Sequence, residues 1–388
     1  MNKNNKYKVL VSHFVGFSGV GGVQRNFVEY INNQFILESG LIHKVYTLGD
    51  VDSQYKILVK VHNIRKMRNL FLLMLDIVSR KRIVHLYNNL TSLKVLILLL
   101  LLPVHNLILH ERGTVWSFPS SRGILIRLIT WKARLVLSNS NATKTMLEKK
   151  FKVPSNKIRV IHNGIDTSIK CIKRNPVHNK PFCIGFIGRL DTPKGVHVLI
   201  NAMHYLVENN IVLVVAGSGA LEEALKSQAK PLENTSFIGR IEDPYVFLST
   251  VDLLVVPSIR EPLGNVCLEA GLCKVPVLAA NIDGIPEIIE NHVSGELIDP
   301  TDDITMDFPF NAVPLPEFVV DPVTYEIHTP LQINPKKLAD KILELSLEEA
   351  DVLSGYAEIL HEKVVSYFNI DRYTHDLHKV YQMIDNET

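Results

Sequence analysis

The sequence predicts an α/β protein of two Rossmann-like, doubly wound domains. Three observations predict it: a strand–glycine-loop–helix unit near the start, a second such unit beginning at Phe182, and a polar stretch between them at 167–180. The length of 388 residues suits two domains, or three. Hydrophobic residues make up 46% and charged residues 21%, the make-up of a folded globular chain, which excludes one that is mostly disordered.

In the first half, Lys8–Phe14 (KVLVSHF) reads as a buried parallel strand. Gly16, Gly19, Gly21 and Gly22 follow it, and a helix is expected over Val23–Ile31. Further strands are expected at His43–Thr47, Ile83–Tyr87, Leu107–Leu109, Leu135–Ser138 and Ile158–His162, with helical stretches between several of them. The apolar run Val95–Leu102 stops at Pro103, far short of the roughly 20 residues a membrane span needs, and is read as a buried helix, with an interfacial helix as the other reading. In the second half, strands are expected at Cys183–Leu190, Ile211–Ala216, Ser236–Ile238, Leu253–Val256 and Val277–Ala280, with helices at Val196–Glu208 and Leu221–Lys230. The linker is placed at Thr167–Lys180, which holds Asn175-Pro176. Thr301–Asn334 breaks the rhythm with Pro309, Pro314, Pro316, Pro322 and Pro330, and reads as a surface excursion outside the core. Pro335–Tyr367 reads as helices and Asp371–Ile384 as a final one.

Charge is divided along the chain. Residues 1–165 carry 25 Lys+Arg against 7 Asp+Glu, while the remainder carries 17 against 33. A basic half of this kind points to an anionic partner. An anionic membrane surface is the preferred reading, a solvated face without a partner is the alternative, and nucleic acid is not expected. The four cysteines, Cys171, Cys183, Cys267 and Cys273, show no C-x-x-C spacing, and no signal peptide is recognisable. A disulfide framework or zinc site is therefore not expected, and a reducing cytoplasm fits.

The chemistry-bearing residues gather at the carboxyl ends of expected strands, where ligands of such sheets bind. Arg260–Ala270 (REPLGNVCLEA) follows Leu253–Val256 and opens a helix near Gly264–Val266, so unpaired amides and the helix dipole would face an anion. Glu261 and Glu269 lie eight positions apart, and a carboxylate suits a cis-diol; capping or surface acids are the alternative. Arg189 and Lys194, in Gly188-Arg189-Leu190-x-x-x-Lys194-Gly195, would neutralise a diphosphate without a metal; a solvated loop is the alternative. The glycines of Gly16–Arg25 let backbone approach phosphate but do not form a dinucleotide fingerprint, which argues against a dehydrogenase. His110, at a strand end, either bonds a sugar hydroxyl or a developing cationic centre, or is structural.

These residues resemble the retaining glycosyltransferases of family 4, of GT-B fold. The matching pieces stand in family order: Gly21-Gly22, His110, SNSNAT (Ser138–Thr143), VIHNGID (Val160–Asp166), GRLxxxKG (Gly188–Gly195), VAGSG (Val215–Gly219), FIGR (Phe237–Arg240), EPLGNVCLEA (Glu261–Ala270) and DGIPEII (Asp283–Ile289). The resemblance implies an N-terminal acceptor domain of residues 1–168 with a crossing helix at 371–388. It implies a nucleotide-sugar domain of residues 169–370, and a central cleft between the two. Arg189 and Lys194 match the diphosphate pair, Glu269 the ribose ligand and Glu261 the carboxylate against the donor sugar. Backbone at Leu263, Gly264, Asn265 and Val266 would meet the sugar and distal phosphate. Backbone at Arg240 and Ile241 would read the base, His110 would face the sugar, and Gly21 and Gly22 would close on the phosphates. The implied reaction moves a hexose or N-acetylhexosamine from a nucleotide diphosphate sugar, UDP before GDP, to a lipid-linked or lipopolysaccharide acceptor, with no cofactor and no metal. A nucleotide-sugar epimerase on the same architecture and a non-catalytic sugar-nucleotide-binding protein are the competing readings. The excursion at 301–334 is longer than the family's usual connection.

Overall fold

A computed structural model of the chain describes residues 9–17, 21–38, 40–88, 93–171, 180–306 and 308–387. Lys8, Gly19 and Asn175-Pro176 of the expected first strand, glycine loop and linker lie outside them. Two compact units are present, Met1–Asp166 with Phe368–Thr388, and Thr167–Tyr367.

The first unit contains seven strands: β1 (Leu10–Phe14), β2 (Ile42–Thr47), β3 (Val61–Asn63), β4 (Arg82–Tyr87), β5 (Leu107–Glu111), β6 (Leu135–Ser138) and β7 (Ile158–Val160). Between them run α1 (Gly22–Asn32), α2 (Gln34–Glu38), α3 (Met67–Val78), α4 (Leu93–Leu101), α5 (Gly123–Lys132) and α6 (Asn141–Lys149). The strands pair in parallel in the order β3-β2-β1-β4-β5-β6-β7. The second unit contains β8 (Phe182–Ile187), β9 (Ile211–Ala216), β10 (Thr235–Gly239), β11 (Leu253–Val256), β12 (Val277–Ala280) and β13 (Glu296–Ile298). Its helices are α7 (Val196–Met203), α8 (Glu222–Ala229), α9 (Pro244–Leu248), α10 (Asn265–Leu272), α11 (Ile285–Ile288), α12 (Pro335–Leu347) and α13 (Ala350–Ser366). This sheet is also parallel, in the order β10-β9-β8-β11-β12-β13. The last helix, α14 (Ile370–Asn386), belongs to the first unit.

Both sheets are doubly wound, because chain order reverses once in each, between β1 and β4 and between β8 and β11. Right-handed crossovers then fix which face each helix covers. The connections β3→β4, β4→β5 and β5→β6 all advance in one direction, so α3, α4 and α5 share a face. The connection β1→β2 runs the other way, so α1 covers the opposite face, where α14 joins it. Phe27, Tyr30 and Ile31 of α1 and Tyr373, Leu377, Val380, Tyr381 and Ile384 of α14 bury against Val11, Val45, Ile83 and Ile108 of the strands. At the other face, Asp76 of α3 ties three strands together. It accepts from Ser12 Oγ at 2.8 Å and Tyr46 Oη at 2.7 Å, and pairs with Arg82 Nε at 3.0 Å.

Four expectations change. Cys171 and Cys273 form a disulfide with Cα atoms 5.2 Å apart, although 102 residues separate them; Cys273 caps the end of α10, and only the fold brings that end to residue 171. The excursion at 301–334 enters the core of its unit. It carries an antiparallel pair, β14 (Val319–Val320) with β15 (Ile327–His328), and Val319, Val320 and Ile333 are buried. The run at 95–102 is α4, whose Leu96 and Leu99 are buried while Leu93, Ile97, Leu100 and Leu101 are exposed, so it is a one-sided helix and not a buried one. Finally, the helix from Val196 keeps α-geometry only to Met203 and continues to Leu206 as a 3₁₀ turn. No helix among the described residues is long and apolar enough to cross a membrane.

Candidate functional site

The sheet reversal between β8 and β11 places the loops after these two strands side by side, and the second unit's polar cluster lies there. After β8, Asp191–Lys194 makes a tight turn: the Lys194 amide donates to the Asp191 carbonyl at 3.0 Å. Gly195 follows with φ +66, and a Cβ there would stand 1.9 Å from the Pro257 carbonyl oxygen. The turn is therefore pressed against the loop after β11. Amides of Ile259 and Arg260 in that loop donate to the Pro193 carbonyl at 2.9 and 3.2 Å. The outcome is a direct contact of Lys194 Nζ with Glu261 Oε2 at 2.5 Å, with Ser258 Oγ 3.4 Å from the same oxygen.

Glu261 is held by its backbone as well. Its amide donates to Asp283 Oδ2 at 2.9 Å, and the other Asp283 oxygen accepts from the Val320 amide at 2.7 Å. Asp283 thus clamps the Glu261 loop to β14. A second link to the excursion runs from Thr192 Oγ1 to the Val313 carbonyl.

Gly264, at φ +99, is the N-cap of α10, a left-handed conformation that glycine adopts without strain. Leu263 is buried, and Asn265 and Val266 form the first turn, where helix amides lack intrahelical acceptors. Glu269 lies one turn further along α10 and is half-buried. Beneath it the Cys267 thiol is fully buried and its pKa is pushed up, first by burial, then by the charges of Glu261 and Glu269, with Lys194 opposing. Lys194 and Glu261 thus meet beside the start of α10, and Glu269 stands on that helix.

Arg189 occupies the same loop as Lys194, but its side chain is 64% exposed and pairs with the buried Asp191 at 3.1 Å. Arg240 and Ile241 follow β10, an outer strand of the sheet; Arg240 is exposed and Ile241 half-buried, and no described contact joins either to Glu261. Among the described residues no three His, Cys, Asp or Glu side chains gather as a metal-ligand set. Of the two cations in the loop after β8, Lys194 is held at Glu261 and Arg189 at Asp191.

In the first unit, Gly21 is the N-cap of α1 and Gly22 its first residue. His110 is the last residue but one of β5 and is 1% exposed. Its Nδ1 is 3.2 Å from His85 Nε2, and His85 Nδ1 is 2.7 Å from Tyr381 Oη. His13 Nε2 is 2.9 Å from His43 Nδ1 nearby. Burial holds all four imidazoles well below the ordinary histidine value, with His43 lowered to about 4. A depressed folded value means that the unfolded chain takes up protons first. The contribution of these histidines is fully present above about pH 6.5 and is lost as pH falls from there through His43's own value. Denaturant unfolding of the first unit is therefore expected to weaken by about 1.4 kcal/mol per pH unit for each histidine that must charge. A stability unchanged between pH 7 and pH 5 would contradict this.

Residues of some family-like motifs make contacts within the fold. Ser140 Oγ caps α6 by accepting from the Thr143 amide at 2.9 Å. Asn163 Oδ1 accepts from Arg112 at 2.6 Å, and Ile165 pairs with Phe368 and Ile370. Residues the sequence reading did not single out include Ser258, three positions before Glu261, and Asp283 as a clamp, Thr192, and the partners His85 and Tyr381, which act through tertiary contacts that no local spacing announces.

Comparison with known proteins follows this geometry. Residues 169–306 match the family described as glycosyl transferases group 1, and residues 54–169 match Glycosyltransferase Family 4. The Anabaena protein HepE, solved with UDP and glucose, superposes with a TM-score of 0.73 at 19% identity, covering 97% of this chain and 100% of that one. The fold is GT-B. An uncharacterized glycosyltransferase of Methanocaldococcus jannaschii is 31% identical over 185 residues, 43% of this chain and 47% of that protein. A capsular polysaccharide biosynthesis glycosyltransferase of Staphylococcus aureus is 30% identical over 136 residues, 34% of this chain and 36% of that protein. The chain therefore spans less than half the length of these relatives. Family matches and relatives together support a glycosyltransferase on the GT-B fold.

Proposed function

We propose that the chain is a retaining, metal-independent glycosyltransferase that moves a hexose or N-acetylhexosamine from a nucleotide diphosphate sugar, UDP before GDP, to a lipid-linked or lipopolysaccharide acceptor. One observation carries the reading: Lys194 meets Glu261 at the β8/β11 reversal, beside the first turn of α10. Lys194 and Arg189 would neutralise the diphosphate, the amides from Leu263 to Val266 would take the distal phosphate and sugar, and Glu269 would hold the ribose. Arg240 and Ile241 are assigned to the base, and His110, Gly21 and Gly22 are the first unit's donor groups. The anomeric carbon–phosphate oxygen bond breaks while the acceptor oxygen bonds to that carbon from the same face. The acceptor's proton passes to the leaving diphosphate, so the chain supplies position and charge.

A thermal-shift panel of UDP, GDP and their sugars tests it. A ligand at 100 times its dissociation constant should add about 2.7 kcal/mol of stability. No shift with any nucleotide would remove the reading. Donor turnover without acceptor would favour the epimerase, and binding without turnover under any acceptor would favour a binding protein.

An anionic bilayer is the surface we assign to the acceptor. Between residues 53 and 147 the only acids are Asp76 and Glu111, both buried, so α3, α4 and α5 carry no exposed acid. Met67, Phe71, Leu101, Ile124 and Trp131 are exposed there, with Arg65, Lys66, Arg68, Arg122 and Arg127 among them. A basic residue near such a surface contributes about 1 kcal/mol. Flotation with phosphatidylglycerol vesicles is expected at low salt and lost at high salt, and Trp131→Glu with Leu101→Glu should weaken it about tenfold. Equal binding to neutral vesicles, or none at any salt, would exclude this surface.

A further inference from the structure

The excursion at 301–334 touches both loops that bring Lys194 to Glu261. Thr192 Oγ1, two residues before Lys194, donates to the Val313 carbonyl, and Asp283 joins Glu261 to Val320. We propose that Asp283 is a positioning residue for sugar transfer: it fixes the Glu261 loop against β14, so that the excursion sets where the Glu261 carboxylate stands beside Lys194. The proposal rests on the assignment of Glu261 to the donor sugar, and every residue in it belongs to the second unit.

The Asp283-Gly284 pair is bonded twice to each neighbour. On one side, Asp283 Oδ2 accepts from the Glu261 amide at 2.9 Å, and the Gly284 amide donates to the Glu261 carbonyl at 3.1 Å. On the other, Asp283 Oδ1 accepts from the Val320 amide at 2.7 Å, and the Asp283 amide donates to the Val320 carbonyl at 3.0 Å. Asp283 is 2% exposed, and its backbone is left-handed at φ +49, a conformation more often given to glycine. A buried carboxyl is costly away from hydrogen-bond donors, and these two amides supply donors to both of its oxygens. The Glu261 side is pressed close: a Cβ on Gly284 would stand 2.2 Å from the Pro262 carbonyl oxygen and 2.8 Å from the Leu263 Cα. The Val320 side is fixed by the core, because Val319 and Val320 are fully buried and pair with His328 and Ile327. Position therefore passes from the core through β14 and Asp283 to Glu261, whose carboxylate meets Lys194.

Amide hydrogen exchange of the full chain reads the tether without any substrate. The Glu261 and Val320 amides are expected to be protected in the wild type. Asp283→Asn keeps the size and tolerates left-handed backbone, but it has one acceptor oxygen for two amides. It should speed exchange of one of them about tenfold, the worth of one hydrogen bond. Asp283→Gly keeps the backbone bonds, removes both oxygens and should speed both. With the donor identified by the nucleotide panel, Asp283→Gly should lower kcat about 10²-fold, as a displacement on the order of 1 Å does. Affinity for the free nucleotide diphosphate should stay within about threefold, because Arg189, Lys194 and Glu269 are untouched. Val320→Pro removes the donor on the excursion. The Asp321 amide is the one that crosses the hairpin, to the Glu326 carbonyl at 2.9 Å, so proline at 320 leaves that bond in place. It should lower kcat about tenfold and add no further loss in the Asp283→Gly background. Unprotected Glu261 and Val320 amides in the wild type would overturn the proposal. So would an unchanged kcat in Asp283→Gly, an equal fall in nucleotide affinity, or an additive loss in the double variant. Should Asp283→Gly or Val320→Pro fail to fold, wild-type exchange and Asp283→Asn still decide. Absence of transfer from every nucleotide sugar would remove the donor reading and leave the exchange result standing, so the two failures are distinguishable.

Discussion

Lys194→Ala is expected to lower kcat by about 10²–10³-fold, roughly 2.7–4 kcal/mol of transition-state stabilisation, in the range found when one fixed stabiliser of a developing charge is removed. In the proposed reaction the leaving diphosphate gains charge as the sugar departs, and a lysine on a tight turn would meet that charge without reorganising. The turn is fixed by the Asp191 carbonyl and by the loop after β11, so the ammonium is held whether or not a ligand is present. Glu261 amplifies the effect. Its carboxylate is buried and contacts Lys194 at 2.5 Å, so alanine at 194 leaves an uncompensated charge beside the start of α10. Lys194→Arg should not restore the rate, because a broad planar guanidinium does not fit a place made for a compact ammonium. Steady-state kinetics with the donor identified by the nucleotide panel, together with titration of the free diphosphate, checks this. A kcat within about threefold of wild type, well under the range for a lost stabiliser, would show that the cation is not used.

Gly195→Ala should be nearly as damaging by a different route. The added Cβ meets the Pro257 carbonyl oxygen at 1.9 Å, and that oxygen belongs to backbone, which has no rotamer to turn away. Two loops must separate, and they are the two that bring Lys194 to Glu261. A loss of about 3 kcal/mol in stability is expected from strain at such a site. The displaced ammonium should cost about 10²-fold in rate, as a misplacement on the order of 1 Å does. Gly239→Ala is the control: its φ is +70 but no atom lies within 4 Å of its Cβ, so it should show only the modest cost of a left-handed alanine. Equal behaviour of the two variants in denaturant unfolding would show that the contact with Pro257 is relieved elsewhere.

Much of the architecture was legible because parallel strands covered on both faces are apolar runs, and glycine-rich turns punctuate them. Ile211–Ala216, Leu253–Val256 and Val277–Ala280 stand at the expected positions. The short edge strands β3 and β13 were not anticipated, because three residues such as VHN or ELI carry too little apolar pattern to register. The meeting of Lys194 with Glu261 was implied by their places at strand ends, but the partners that hold them were not. Asp283 reaches Glu261 from 22 residues away, and Val320 joins it from a proline-rich stretch that reads as surface. The disulfide was missed for the same reason, since sequence spacing says nothing about the approach of residues 171 and 273. Tyr381 and His85 are 296 residues apart and neither sits in a recognisable motif.

The return of α14 to the first unit has a consequence for how the molecule is made. The chain leaves that unit after Asp166 and re-enters at Phe368, where the Ile165 amide donates to the Phe368 carbonyl and the Ile370 amide to the Ile165 carbonyl, each at 2.8 Å. Tyr373, Leu377, Val380, Tyr381 and Ile384 then fill the space beside α1. During synthesis the ribosome delivers these side chains after all of residues 167–367. The half that begins first is thus completed last, and its apolar α1 face stays uncovered while the intervening half emerges and folds.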